Sequence, residues 1–209
     1  MPQPFFSVIM PSFLGHYPTA AKNRDFKIFR AIDSVLGQSF KDWELVVVSD
    51  GCAKTTTTLQ SNYLHHTNIH CFSIPKQPLW SGTPRNTGIF KATGKYIVYL
   101  DIDDFIGTHH LHIIHDEIQK LGEPDWVWFN DYEGNRQGDF SVKNRDINKK
   151  GQHGTCNVCH KREIAYWPDR STYLHDFEFI TLLKQSKSIP YKITTPEYYI
   201  CHVPHKFDI

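Results

Sequence analysis

Short apolar runs and amphipathic segments alternate along the chain as far as residue 129, and this alternation predicts strands separated by helices. Runs rich in β-branched and aromatic residues predict strands at 6–10, 42–48, 69–74, 96–100 and 125–129. Apolar residues at helical spacing predict helices at 26–37, 55–64, 84–92 and 111–121. Such an alternation is typical of an α/β fold, with a mostly parallel mixed sheet flanked by helices.

The pattern weakens after residue 131. Residues 133–152 are polar, rich in Lys and Arg and without periodicity, so they are predicted to form a long mobile loop. The remaining elements are predicted as a strand at 154–159, a helix at 174–183 and a last strand at 193–202. With 209 residues, the chain is expected to form a single domain.

Composition narrows the choice of function only slightly. The 23 basic and 22 acidic residues give a net charge of +1, which offers no support for binding a nucleic-acid backbone. No apolar run approaches the roughly 20 residues of a membrane span, and the N-terminus lacks the pattern of a signal peptide. Five dispersed cysteines favour reduced thiols. We therefore expect a cytoplasmic protein whose association with a membrane, if any, is peripheral.

The predicted strand at 96–100 ends on a run of acidic side chains, Asp101-Ile102-Asp103-Asp104. Carboxylates this close repel one another unless a cation lies between them. Mg²⁺, Mn²⁺ and Ca²⁺ prefer such oxygen ligands, and a site with one or two protein carboxylates leaves room for the phosphates of a substrate. The alternative is a surface turn, where aspartate is common.

Polar residues also follow the first two predicted strands. Pro11 and Ser12 follow the first, and Asp50 and Gly51 follow the second. Ligands of open α/β sheets bind beyond the carboxyl ends of strands, so these residues and the acidic run are expected to converge on one ligand. Asp50 could accept a hydrogen bond from a base or ribose, while Gly51 would let a backbone approach closely. An ordinary Asp-Gly turn explains the pair equally well.

Three segments together resemble the family 2 glycosyltransferases of the GT-A fold in the order, spacing and type of their residues: 7–13, 31–51 and 85–104. The resemblance covers roughly the first half of the chain. It implies a GT-A domain over residues 1–209, with a nucleotide-sugar-binding half at 1–105 and an acceptor-side half at 106–209. Ser49 departs from the family, which often has a second Asp at this position.

The resemblance also implies which residues bind the nucleotide. They are Pro11, Ser12, Phe13, Asp50, Gly51, Arg85, Asp101 and Ile102. Among them, Asp50 would bind uracil or another base, and Asp101 would face the ribose and the water shell of a metal. Arg85 would be directed at the donor diphosphate or at the acidic run.

A divalent metal is the second implication. Asp103 would ligate Mn²⁺ or Mg²⁺ bridging the two phosphates of the donor, and Asp104 would brace its neighbours. His202 would contact the metal or the diphosphate, because some GT-A enzymes recruit a late histidine.

The resemblance also implies an inverting displacement, which needs a general base that takes the proton of the attacking hydroxyl. The run His175-Asp176-Phe177-Glu178-Phe179 resembles the acidic motif of the family, which implies Asp176 as the base and Glu178 as the reserve candidate. Asp176 also suits a first-turn position that complements the helix dipole.

Cys156, Cys159 and His160 have the spacing of a c-type haem attachment. Haem is disfavoured because the chain has no export signal. A zinc site that adds His153 or His160 lacks a second pair of cysteines. The preferred interpretation is two small buried thiols on a strand.

Together these features predict a metal-dependent inverting glycosyltransferase that moves a sugar from a nucleotide-diphosphate sugar, most simply a UDP-sugar, to a hydroxyl. The acceptor stays open among a glycan, a lipid-linked sugar, a protein and a modified nucleobase. The alternative is a non-catalytic module that binds nucleotide or carbohydrate on the same fold.

Overall fold

A computed structural model describes residues 3–17, 20–63, 65–78, 81–168, 175–186, 188–195 and 197–201. The strands are β1 (Phe6–Ser12), β2 (Trp43–Asp50), β3 (Ile69–Ile74), β4 (Tyr96–Tyr99), β5 (Phe105–Ile106), β6 (Trp126–Phe129), β7 (Asp131–Gly134), β8 (Phe140–Lys143), β9 (Val158–Lys161), β10 (Tyr191–Ile193) and β11 (Tyr198–Ile200). The helices are α1 (Arg24–Leu36), α2 (Ala53–Tyr63), α3 (Gly82–Lys91), α4 (His110–Lys120) and α5 (His175–Leu183). None of these helices, all from the described ranges, is long and apolar enough to cross a membrane.

Seven strands form the main sheet, in the order β10-β6-β9-β4-β1-β2-β3. Neighbouring strands are parallel except at β9, which runs antiparallel to both β4 and β6. The central strand β1 pairs with β2 from Phe6 opposite Trp43, and with β4 from Phe6 opposite Tyr96. The carboxyl ends of β1, β2 and β4 therefore lie at the same edge of the sheet. The predicted α/β fold with a mostly parallel mixed sheet is confirmed.

The central strands are covered on both faces, as their unbroken apolar runs predict. Every residue of β1, β2 and β4 is buried. Val8 and Met10 belong to the core beneath α1, whereas Ile9 points to the other face, beneath α3. Helix α3 lies very close to β1, because a Cβ atom at Gly88 would come within 2.5 Å of the Ile9 side chain. This packing fixes the strand ends relative to the start of α3.

A second sheet has four strands in the order β5-β11-β7-β8. Here the structure corrects two predictions. Residues 133–152 are not one long loop, because β7 and β8 form an antiparallel hairpin from Asp131 opposite Lys143 to Gly134 opposite Phe140. The predicted strand at 193–202 is divided between β10 in the main sheet and β11 in the second. Strands of three or four residues are too short to produce a clear alternation in the sequence.

Candidate active site

A cavity of about 750 Å³ lies at the edge of the main sheet where β1, β2 and β4 end. Its described lining consists of Pro11, Ser12, Phe13, His16, Tyr17, Arg24, Asp50, Lys76, Pro78, Ser81, Pro84, Arg85, Asp101, Ile102, Asp103 and Asp104. The lining includes every residue predicted for the nucleotide site except Gly51, and it includes the predicted metal ligand Asp103. The parallel register brings these distant residues together, because the carboxyl ends of the strands share one edge.

Asp50, at the end of β2, is buried and has a donor on each carboxylate oxygen. Lys76 donates from Nζ to Oδ2 at 2.6 Å, and the backbone N–H of Gln77 donates to Oδ1 at 2.7 Å. The Lys76 ammonium also lies 4.4 Å from the centre of the Phe13 ring. A ligand at this end of the cavity therefore meets an acceptor carboxylate, a cationic donor and an aromatic ring side by side.

Gly51 has φ of 63°, in the left-handed region that favours glycine. A Cβ atom at this position would lie 2.6 Å from the backbone nitrogen of Lys76. From the sequence, Gly51 is expected to allow a close approach, and in the structure the backbone of Lys76 makes that approach. Gly51 allows the segment after β3 to come near enough for Lys76 to reach Asp50.

Arg24, the first residue of α1, holds the loop that follows β1. Its Nη1 donates to the Phe13 carbonyl at 2.5 Å, and its Nη2 donates to the Gly15 carbonyl. The guanidinium lies 4.5 Å from the centre of the Tyr17 ring. Burial raises the pKa of Tyr17, and the negative charges of Asp103 and Asp101 add to the rise. The loop therefore places a phenol near the acidic run.

Arg85 of α3 forms an ion pair with Asp101, with 2.9 Å between Nη2 and Oδ1. The Arg85 side chain is 4% exposed and that of Asp101 is 37% exposed, so the cation is embedded while the carboxylate remains accessible. Arg85 Nη1 donates to the hydroxyl of Ser81. Its Nε is buried and has no hydrogen-bond partner in the described structure.

Asp104 borders the cavity, but its carboxylate is engaged by the second sheet. The Tyr198 hydroxyl donates to Oδ2 at 2.9 Å, and the Cys201 backbone N–H donates to Oδ1 at 2.7 Å. Burial, followed by repulsion from Asp103 and Asp101, raises the pKa of Asp104 well above its ordinary value. Asp104 therefore joins the acidic run to β11 and to the residue that follows it.

The acidic run fits a magnesium or manganese ion whose ligands come partly from the protein and partly from a substrate. Asp101 and Asp103 line the same cavity, whereas the carboxylate of Asp104 is bonded to Tyr198 and Cys201. Arg30 donates to the main-chain carbonyl of Asp103 at 2.6 Å and so fixes the backbone there. No three His, Cys, Asp or Glu side chains in the described ranges are arranged to enclose a metal by themselves. A site with few protein ligands, completed by phosphates and water, is what Mg²⁺ favours.

Asp176 lies in the first turn of α5 and is not among the described residues of the cavity lining. Thr155 donates from Oγ1 to its Oδ1 at 2.6 Å, and Nε2 of His175 lies 3.2 Å from the same oxygen. Among the described residues, no hydrogen-bond donor contacts Oδ2. The carboxylate is thus anchored through one oxygen and is 26% exposed.

Trp167 connects the helix of Asp176 to the ion pair in the cavity wall. Its ring lies 4.9 Å from Cζ of Arg85 and 5.7 Å from the ring of His175. Phe179 of α5 is stacked on it with 4.0 Å between ring centres and 12° between planes. One aromatic side chain therefore separates the start of α5 from the Arg85 guanidinium.

The family model described as Glycosyl transferase family 2 matches residues 19–194. The chain belongs to glycosyl transferase family 2. This family 2 chain is 30% identical over 196 residues to an uncharacterized glycosyltransferase of Haemophilus influenzae, covering 90% of the chain and 65% of the relative. It is 30% identical over 112 residues to the poly(ribitol-phosphate) beta-N-acetylglucosaminyltransferase TarP of Staphylococcus aureus, covering 53% of the chain and 32% of TarP.

Solved structures confirm the GT-A fold of the family 2 chain. The crystal structure of S. aureus TarS 1–349 in complex with UDP superposes with a TM-score of 0.74 at 18% identity, covering 94% of the chain and 60% of TarS 1–349. The complex of the same protein with UDP-GlcNAc gives a TM-score of 0.73 and covers 94% and 58%. The chain spans less than two thirds of the length of each of these relatives.

Both thiols of the Cys-x-x-Cys-His segment of this family 2 chain are buried in the core, as predicted from the sequence. Burial raises the pKa of Cys156 and Cys159. His160 points to the opposite face of β9 from Cys159, since neighbouring strand residues alternate. Its Nδ1 lies 2.7 Å from the Lys161 carbonyl and its Nε2 lies 2.7 Å from the Tyr99 hydroxyl. Both ring nitrogens are therefore occupied, and burial lowers the pKa of His160 to about 4.

Sequence reasoning missed several residues of the candidate site in this family 2 chain. Lys76 lies just beyond β3, so the argument from strand ends would have found it had it been applied to the third strand. Arg24 and Tyr17 give no local signal, because a loop separates them from the end of β1. Thr155 meets Asp176 across 21 positions of sequence, a contact that no motif indicates. His202 lies outside the described residues, so its predicted role stays a prediction.

Proposed function

We propose that this chain is the catalytic domain of an inverting glycosyltransferase that moves a sugar from a UDP-sugar to a hydroxyl in the presence of Mn²⁺ or Mg²⁺. The observation that carries the proposal is the grouping of Asp50, Asp101 and Asp103 around one cavity at the carboxyl edge of a GT-A sheet. Asp50 marks an end suited to a base, and the other two mark an end suited to a diphosphate and its ion.

The base would bind beside Phe13 and the pair formed by Asp50 and Lys76. Each carboxylate oxygen has more than one acceptor position, so Asp50 can accept the N3–H of uracil while it keeps Lys76. The Lys76 ammonium can then donate to a neighbouring carbonyl of the base. The Phe13 ring offers the apolar surface against which a planar base packs.

The diphosphate would bind at Asp103 and Arg85. Asp103, with Asp101 beside it, would hold the metal ion, which when bound supplies Lewis-acid stabilisation of the charge that develops on the leaving diphosphate. Arg85 adds a fixed positive charge that is already oriented by Asp101, so little reorganisation is needed as the charge develops.

Asp176 is the proposed general base. Its carboxylate accepts the proton of the acceptor hydroxyl while the hydroxyl oxygen forms a bond to the anomeric carbon. The bond from that carbon to the diphosphate oxygen breaks on the opposite side, and its electron pair leaves with UDP. A single displacement of this kind inverts the anomeric configuration. The proton then passes from Asp176 to solvent.

The named relatives support a UDP-linked donor. TarP is named as a beta-N-acetylglucosaminyltransferase, and the TarS structures hold UDP and UDP-GlcNAc. The chain spans 65% of its Haemophilus relative and 32% of TarP, so the activity of the whole protein is part of the proposal.

A donor screen tests the proposal. The protein is heated with UDP-, GDP- and ADP-sugars, each with Mn²⁺ and with EDTA, and UDP release from the best donor is then measured with hydroxyl acceptors and with water. We expect a UDP-sugar to raise the melting temperature only with Mn²⁺, and EDTA to stop the release of UDP. Turnover that persists in EDTA overturns the metal assignment. UDP binding without transfer or hydrolysis of any donor favours the non-catalytic module.

A further inference from the structure

Trp167 is buried, with 3% of its surface exposed, and three hydrogen bonds fix its orientation. Asn86 donates from Nδ2 to its carbonyl at 2.9 Å and accepts from its backbone N–H at 2.7 Å. The indole N–H donates to the Tyr99 hydroxyl at 3.0 Å. A buried donor that loses its acceptor is costly, so the indole cannot turn without a penalty.

The hydrogen bonds continue behind the indole. The Lys161 carbonyl can only accept, so His160 carries its proton on Nδ1, and its Nε2 accepts from the Tyr99 hydroxyl. Tyr99 in turn accepts from Trp167. Each of these polar groups has a partner, and satisfied buried networks of this kind favour one arrangement of the core.

The indole has an aromatic and a cationic neighbour. The Phe179 ring is stacked on it, with 4.0 Å between ring centres. The Arg85 guanidinium lies over the indole, with Cζ 4.9 Å from the ring centre. The Nε atom of Arg85 is buried and has no hydrogen-bond partner in the described ranges. Contact with an aromatic face is strongest where the cation is shielded from water, as it is here.

We propose that Trp167 is a positioning residue that holds the Arg85 guanidinium against Asp101, with α5 as its support, and thereby sets the affinity of the site for a nucleoside diphosphate. The inference rests on the proposed function for its ligand. Without the indole, the Arg85 side chain gains room to leave Asp101, whose carboxylate is 37% exposed and can be solvated alone. Trp167 itself is not among the described residues of the cavity lining.

The first test uses the protein without any donor. Hydrogen exchange at the Nε–H of Arg85 is measured by ¹⁵N NMR, and the signal is assigned by its loss in Arg85→Lys. We expect Trp167→Leu to speed this exchange about tenfold, because the aromatic face that packs on the guanidinium is gone. Trp167→Phe keeps an aromatic face and should retain most of the protection. Asn86→Ala loosens the Trp167 backbone without changing its ring and should have a smaller effect in the same direction.

The second test measures UDP affinity by calorimetry in Mn²⁺. We expect Trp167→Leu to weaken UDP binding about tenfold, and to add nothing further when Arg85 is already replaced by Gln, because the effect passes through Arg85. In transfer assays with a UDP-sugar, Trp167→Leu should have a higher KM for the donor, while its kcat changes less than about threefold.

The outcomes separate the two proposals. Unchanged Nε–H exchange in a folded Trp167→Leu protein overturns the positioning role. If that variant does not fold, unchanged exchange in Asn86→Ala does the same. A loss of UDP affinity that is equally large in the Arg85→Gln background also overturns it. Failure of the unaltered protein to bind UDP overturns the proposed donor, while the exchange measurement still decides the role of Trp167.

Discussion

The two sides of the candidate site hold their carboxylates by different means. At the strand ends, Asp50 and Asp101 are each paired with a cation, Lys76 at 2.6 Å and Arg85 at 2.9 Å. At the start of α5, Asp176 is held by the hydroxyl of Thr155 and the imidazole of a neighbouring residue. In the proposed mechanism the strand ends bind the charged diphosphate and its ion, while the α5 side takes the proton of the acceptor hydroxyl.

The largest effect is expected on the α5 side. Asp176→Asn keeps the shape and the hydrogen bond from Thr155 but removes the proton acceptor, so kcat for transfer should fall roughly 1,000-fold. UDP affinity, measured by calorimetry, should stay within about threefold of the unaltered protein. Glu178→Gln, which removes the reserve candidate for the base, should by contrast keep kcat for transfer near that of the unaltered protein. Near-normal transfer by Asp176→Asn, or a parallel loss of UDP binding, would contradict the division between the two sides.

At the strand ends, Asp103→Asn should weaken binding of a UDP-sugar in Mn²⁺ about 100-fold, since a metal ligand contributes several kcal/mol. The Mn²⁺-dependent rise in melting temperature should disappear with it. Asp116→Asn, an exposed aspartate on α4, is the matched control and should leave both unchanged. Mn²⁺-dependent donor binding that survives in Asp103→Asn would remove this residue from the metal site.

The hydrogen bond from Thr155 sharpens the comparison. Thr155→Val keeps the shape of the side chain but removes one of the two groups that hold Oδ1 of Asp176, and a hydrogen bond to a charged group contributes about 1.5–3 kcal/mol. We expect kcat to fall about tenfold with donor KM unchanged, and Thr155→Ser to restore it. If Val and Ser behave alike, the hydroxyl does not orient the base.

The smallest effect concerns the stability of the buried network formed by His160, Tyr99 and Trp167. The pKa of buried His160 is lowered to about 4, below its unfolded value near 6.5, so the unfolded chain binds more protons between these pH values. The free energy of unfolding should therefore fall as the pH drops from about 6.5 to about 4. His160→Gln should make this fall in the free energy of unfolding smaller, as measured by urea unfolding at pH 7 and pH 5. An equal loss of unfolding free energy between pH 7 and pH 5 in both proteins would contradict the lowered pKa of His160.

Most of the first half was predictable because its strands are buried on both faces. Residues 96–99 form a strand with no exposed residue, and such runs are visible without any knowledge of partners. The hairpin of β7 and β8 was missed because each strand has only four residues, and buried and exposed positions do not alternate along them. The strand-end part of the site was predictable for the same topological reason. Contacts such as Trp167 to Tyr99, 68 positions apart, depend on packing that no local pattern records.

Asp104 has a practical consequence for exchanging modules between related enzymes. Its bonds to Tyr198 and Cys201 span 94 and 97 positions of sequence, and they join the acidic run to the last described strand. A chimaera that takes its second half from a parent without a tyrosine at position 198 would lose the hydroxyl donor to Oδ2 and leave that oxygen of a buried carboxyl without its partner. Crossover points should therefore be chosen so that Asp104 and the segment from Tyr198 to Cys201 come from the same parent.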